Sequence, residues 1–192
     1  MKKYILLFSA SLILISACRE KSEKKQEDFL PALPFIQNDV ADVDTSLYSI
    51  IKITWADTTA ADTVFIKREE FRGLAADFLQ IPDLAQKEYK SRFTEEKFYD
   101  QTLNTVIFTY RPKDAEKEEV QKQEILITPN PTGDKVRSII IDRLVNHKDS
   151  SVMKKMLWQV NKSFQVTTTI QKPNVPEKTF TLKVVWNEPG NF

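Results

Sequence analysis

From Tyr89 to Trp186 the chain repeats one pattern: a short run rich in aliphatic, β-branched and aromatic residues, then a cluster of turn formers, then another run. The runs are 89–97, 102–111, 120–128, 136–146, 152–160, 164–171 and 178–187. The breaks hold Pro112-Lys113-Asp114, Pro129-Asn130-Pro131-Thr132-Gly133, the stretch from Asn146 to Ser150, Asn161-Lys162, and Pro173 to Pro176. Proline presets φ, and Asn, Asp, Ser and Gly bend the backbone or close it with their own side chains, so each cluster marks a turn. Seven strands with short connections and no crossover helix leave little choice but an antiparallel meander.

Helices belong to the part before this series. Ile36, Val40, Val43 and Leu47 recur at helical spacing behind Pro34, predicting a helix from Pro34 to about Val43. Phe71, Leu74, Ala75, Phe78 and Leu79 form one apolar stripe, which predicts a second helix from Arg68 to Leu79. Glu69 and Glu70 fall in its first turn, where the helix dipole favours them, and Pro82 ends it. Gly73 weakens it, and a close approach to a sheet would explain the residue. Between the helices, Leu47–Trp55 reads as a strand buried on both faces, because Ile50, Ile51 and Ile53 crowd together. Thr63–Lys67 reads as a shorter strand. The expected fold is α+β: two short N-terminal helices on a twisted antiparallel meander of seven to nine strands. A sheet this wide must curl, split or partly close, and the expected outcome is a half-open barrel with a helix in its concavity.

One hairpin allows its register to be argued. A loop of Asn161-Lys162 would place Gln159 opposite Phe164. A loop of Asn161 to Ser163 pairs Val160 with Phe164 and Trp158 with Val166, with Met156 on the same face. The second gathers more apolar area and is preferred, although neither supplies a glycine for a left-handed turn position.

Several chemistries lack their residues. The chain has one histidine, His147, in Asn146-His147-Lys148-Asp149-Ser150-Ser151. Neighbouring turn residues point in different directions, so this is an exposed turn and not a compressed Ser/His/Asp relay. One histidine and one cysteine supply no zinc or copper cluster. Asp39, Asp42 and Asp44 suggest calcium, but a loop begun at Asp42 has Leu47 and Ile53 where Gly and Glu are required, so the acids read as a solvated helix end. Gly73, Gly133 and Gly190 are the glycines, too few for a phosphate cradle, and Gly133 reads as a positive-φ turn residue. Glu95-Glu96, Glu118-Glu119 and the pair Glu124 and Asp142 would need a cleft at a set separation for acid–base work. No cofactor, metal or catalytic residue is assigned. Trp55, Trp158 and Trp186, each on an expected strand, are the weak candidates for a ligand-stacking platform, with Met156 beside them; core packing is the plainer role.

The N-terminus carries a different kind of signal. Met1-Lys2-Lys3 is basic, Tyr4 to Ile15 is apolar but shorter than the roughly 20 residues of a membrane span, and Ile15-Ser16-Ala17-Cys18 closes it. That is the layout of a secretory leader. The last four residues resemble the lipobox of bacterial lipoproteins, and the rest resembles the many small exported lipoproteins of unassigned role. The resemblance implies cleavage before Cys18, acylation of Cys18, and membrane attachment through the lipid. More than one acyl chain anchors stably, each buried CH₂ contributing about 0.8 kcal/mol. Arg19, standing where an Asp would hold such a protein in the inner membrane, implies the outer membrane; the domain is expected to face the periplasm, with export to the cell surface as the alternative.

The expected organisation is therefore a leader (1–17), the lipidated Cys18 with a tether (18–28), and one globular domain (29–192). Arg19 to Asp28 has no apolar side chain and cannot bury anything, so it acts as a spacer of at most about 35 Å. The chain carries 28 basic and 27 acidic residues, and losing Lys2 and Lys3 tips the balance slightly negative, which is no footprint for nucleic acid. Asp57-Thr58-Thr59 and Asp62-Thr63-Val64 resemble O-glycan acceptor sites of some exported bacterial proteins. These features point to a non-catalytic envelope lipoprotein that docks a protein partner, with a carrier of an apolar ligand or lipid as the alternative. Cys18→Ser is expected to leave an unprocessed, unacylated chain, read as a higher intact mass and loss of detergent-phase partitioning; an unchanged mass would remove the lipobox reading.

Overall fold

The computed structural model describes residues 29–56 and 60–187. The leader, Cys18, the tether, Asp57-Thr58-Thr59 and Gly190 lie outside the described residues. In chain order the elements are α1 (Leu33–Thr45), β1 (Ile50–Ala56), β2 (Asp62–Ile66), α2 (Arg68–Leu74), α3 (Ala76–Leu79), α4 (Lys87–Lys90), β3 (Phe93–Asp100), β4 (Thr105–Pro112), β5 (Val120–Thr128), β6 (Lys135–His147), β7 (Ser150–Gln159), β8 (Ser163–Lys172) and β9 (Val175–Val185). The strands form one antiparallel sheet in the order β2-β1-β9-β8-β7-β6-β5-β4-β3. The meander expected from the turn clusters is present, and β1–β2 joins it beside β9. The sheet is not closed: β2 and β3 are its two edges.

Strand alternation sends one set of side chains toward the helices. Ile50, Phe93, Tyr110, Ile125, Ile139, Ile141, Met156, Trp158, Phe164, Val166 and Val184 all enter a single core with α1 and α2–α3. Helix α1 buries Ile36, Val40 and Val43 there, as its spacing predicts. Leu47 leaves the stripe: the helix ends at Thr45, and Leu47 is 96% exposed on the way into β1. Rings from both layers interlock. Trp158 stacks on its cross-strand neighbour Phe164 with centroids 5.2 Å apart. Phe78 meets Trp158 edge-on at 5.0 Å, and Phe71 meets Trp186 at 5.1 Å. Such pairs add about 1 kcal/mol each to the area they bury. The opposite face is largely half-buried and carries polar ladders, including Thr167–Thr181 at 3.0 Å and Thr169–Thr179 at 3.1 Å.

Other expectations need correction as well. Arg68–Leu79 is not one helix but two short ones separated at Ala75, whose ψ of 0 interrupts the spiral. Tyr89 and Lys90 belong to the helical turn α4, and the strand begins at Phe93; a single turn is too short to leave a periodic stripe. The β7–β8 hairpin pairs Trp158 with Phe164 and Met156 with Val166, a shift of two residues from the preferred register. The faces are unchanged because the shift is even. The loop is Val160 to Lys162, and Asn161, at φ 60, takes the left-handed position for which no glycine was available.

Gly133, at φ +127, is the positive-φ turn residue its context suggested. Gly73 does not approach the sheet: a Cβ there would meet nothing within 4 Å. Its cost to the helix is therefore uncompensated. Gly73→Ala is expected to raise the unfolding free energy by about 0.5–1 kcal/mol, read by urea denaturation; destabilisation would mean that the break at Ala75 needs the glycine.

Candidate functional site

The four candidate ligand residues do not come together at a surface. Trp158, Met156 and Trp186 are fully or almost fully buried in the core. Trp55 lies on the opposite side of the strand from Lys52, Thr54 and Ala56 and is half-buried near the far end of β1. The core therefore takes three of the four, and their strand positions alone did not reveal which face each would occupy.

The most constrained polar group is one the sequence reading placed in solvent. Asp39 is 3% exposed. Its Oδ2 accepts hydrogen bonds from Trp158 Nε1 at 2.7 Å and from the Asn161 backbone N–H at 2.8 Å. Asp42 is exposed, and Asp44 turns outward to Arg72. A signal was available: Asp39 follows Ile36 by three residues and precedes Val40, so it sits on the apolar stripe of α1. Burial pushes the Asp39 carboxyl above its ordinary pKa, and the two donated hydrogen bonds offset part of that rise. The carboxylate joins α1 to the β7–β8 hairpin.

A second polar row crosses the core-facing side, where Glu95, Tyr110 and Gln123 pair in sequence across β3, β4 and β5. The Tyr110 hydroxyl accepts the Leu30 N–H at 3.0 Å. Burial raises its pKa, the Leu30 bond opposes the rise, and the bond to the Glu95 carboxylate adds to it. Glu95 Oε2 and Gln123 Nε2 are buried with no hydrogen-bond partner among the described residues. The remaining carboxylate pairs are tied to cations: Glu118 to Arg92 at 3.0 Å, Glu119 to Arg143 at 2.6 Å, and Glu124 and Asp142 to Lys122 at 3.4 Å each. His147 faces Ser150 at the exposed end of the β6–β7 hairpin. Among the described residues no group of three or more His, Cys, Asp or Glu is placed to hold a metal, and no helix is long and apolar enough to cross a membrane.

Grooves flank the helices. One, of about 500 Å³, is lined by Lys52, Thr54, Trp55, Asp62, Leu74 and Phe180 beside β2. Another, of about 340 Å³, is floored by Leu30, Phe35, Val106, Phe108, Ile127 and Val136, with Lys97 and Asp134 at its margin. The edge strands differ. β3 carries Glu95, Glu96 and Lys97 along its length, charges that discourage another strand from pairing. β2 has no charge between Asp62 and Lys67, and Phe65 is 76% exposed on it. Comparison of the chain with protein-family models, curated proteins and solved structures gave no match.

Asp39 gives a prediction with a definite sign. Because its folded pKa is raised, its ionisation costs stability. That cost is absent below the unfolded value, near 3.9, grows as pH rises through the window up to the folded value, and is complete above it. Asp39→Asn can still accept both bonds on one oxygen, so its stability relative to the native chain should climb across that window and then level off. Asp39→Ala leaves two donors unmet and should cost about 3 kcal/mol. Urea unfolding at several pH values measures both; a native-to-Asn difference that does not change with pH would contradict the assignment.

Proposed function

We propose that this protein is a non-catalytic envelope lipoprotein, held at the outer membrane by acyl chains on Cys18, facing the periplasm, whose domain is a protein-interaction module. The observation that carries the interaction reading is β2: an edge strand whose outer side pairs with no other strand among the described residues, with no guarding charge over Thr63-Val64-Phe65 and a large exposed aromatic. Such an edge accepts an extended segment of a partner as a tenth strand, in which main-chain hydrogen bonds give affinity and side-chain pockets give selectivity. The neighbouring groove, with Trp55 and Phe180 in its lining, offers a pocket of that kind.

The finer form of the fold belongs to this proposal. Nine strands about 4.8 Å apart would span about 38 Å if flat, whereas α1 is about 20 Å long. Ile50 near one edge and Phe93 at the other share a core with the same helices, which supports a sheet curled into a half-open barrel around them. The alternative, a carrier for an apolar ligand or lipid, draws on the apolar groove over β4–β6. Against it stands the middle of the concavity, filled by Phe71, Phe78, Trp158 and Phe164.

A photo-crosslinking residue at Thr63, introduced in cells, is expected to capture a discrete protein, whereas one at Thr94 on β3 is not. Phe65→Lys should abolish that adduct while changing stability by no more than about 0.5 kcal/mol. Capture of no protein at either position, with a lipid-sized adduct in native mass spectrometry that denaturation releases, would replace the docking reading with the carrier.

A further inference from the structure

The two ends of the sheet differ in chemistry. One end, here called proximal, carries the β3–β4, β5–β6 and β7–β8 turns, the start of β1 and the ends of β2 and β9. The distal end carries the β4–β5, β6–β7 and β8–β9 turns. The distal β4–β5 turn is Lys113-Asp114-Ala115-Glu116-Lys117-Glu118-Glu119, and the β6–β7 turn is Lys148-Asp149. The three proximal hairpin turns carry few charges: Asp134 and Lys162 are the ionisable residues of 101–104, 129–134 and 160–162, with Asp100 bordering the first, while the end of β2 runs into Lys67-Arg68-Glu69-Glu70.

Large apolar side chains show the reverse bias. Phe98 is 62% and Leu103 60% exposed at the β3–β4 hairpin, with Tyr99 between them also exposed. At the other corner of the same end stand Leu47 and Tyr48, ahead of β1. These residues are held in place. The Asp100 carboxylate accepts the backbone N–H groups of Thr102 and Leu103 at 2.8 and 3.0 Å, closing the turn so that Leu103 projects. The Tyr99 hydroxyl donates to Asn104 Oδ1 at 2.8 Å, which satisfies its polar tip within the hairpin and leaves the ring outside.

We propose that the proximal end is the surface that rests on the bilayer to which Cys18 ties the chain. The inference rests on the anchor reading given above. An interface of headgroups and upper acyl chains takes aromatic and aliphatic side chains from a rim whose loops bring few charges, and the acid-rich distal turn is unsuited to an anionic surface. Chain length permits the arrangement. The domain begins at Phe29, whose ring lies 4.8 Å from that of Tyr110. Tyr110 is five residues along β4 from its proximal end at Thr105, about 17 Å. Residues 19–28 span up to about 35 Å, so the tether covers that distance with slack. The distal end and the β2 edge then remain open to a partner.

Full-length lipidated protein with Leu103→Trp, Leu47→Trp or Val175→Trp is reconstituted into vesicles of phosphatidylethanolamine and phosphatidylglycerol, with and without brominated acyl chains. Val175 is a distal control, 48% exposed at the start of β9. After subtraction of the native tryptophan signal, bromolipid should quench the two proximal reporters at least about twofold more than the distal one. Equal quenching at the two ends would overturn the inference and assign the proximal rim to a protein partner. Failure of the native lipidated chain to float with the vesicles would instead remove the anchor reading, and this inference with it.

Discussion

An antiparallel sheet has two faces, and a single sheet of nine strands must find something to cover one of them. Here α1 and α2–α3 do so, and almost every large buried side chain lies between those layers. The other face is finished with threonine ladders and ion pairs, which tolerate water. Helix-on-sheet packing by apolar contact alone is weakly directional. Asp39 adds direction: one carboxylate oxygen holds an indole N–H of β7 and the backbone N–H of the β7–β8 turn. Burying that carboxylate costs free energy, which its raised pKa records. Removing it alone would strand two donors in the core. The group therefore fixes where α1 lies without being a net source of stability.

The sheet was legible because alternation and turn chemistry are local. Gly133, the threonine-rich β8 and the apolar alternation of β5 each announce themselves within a few residues. Register was harder. Counting apolar area favoured Trp158 opposite Val166, but the three-residue loop sits one residue earlier, which shifts the pairing by two. There Ser163 Oγ donates to Gln159 Oε1 at 2.7 Å, and Asn161 supplies the left-handed turn. A polar pair at the hairpin mouth and an asparagine acting in the place of glycine carry no apolar signal. The same locality explains Tyr89, whose aromatic ring suggested a strand while four residues of helix left no period to read.

Candidate site residues were less legible because their roles depend on distant partners. Trp55, Trp158 and Trp186 look alike in sequence, each on an expected strand, yet Trp186 falls just past the end of β9, and the core takes the latter two and leaves Trp55 half-buried. Asp39 and Asp42 lie three residues apart on one helix, and one is buried while the other is exposed. Asp39's partners are 119 and 122 residues away. The sequence does hold the phase of Asp39 on the apolar stripe, and a polar residue in that phase implies a buried donor somewhere else.

The contact that seats α1 also bears on the surface the protein presents. Asn161 lies in a proximal turn, so the bond from its N–H to Asp39 holds the middle of α1 near that end of the sheet. Six residues beyond Asp39 the helix ends at Thr45, and Leu47 and Tyr48 emerge into solvent before β1 begins at Ile50. Ile50 in turn pairs with Ile66 at the end of β2 and sets the register that leaves Phe65 outside. Loosening the carboxylate contact would therefore disturb more than the core: it would free the helix whose end positions Leu47 and Tyr48 next to the open edge. Core architecture and exposed apolar corner are linked through one buried carboxyl group, and this gives a physical reason why an apolar side chain of the same volume would not serve at position 39.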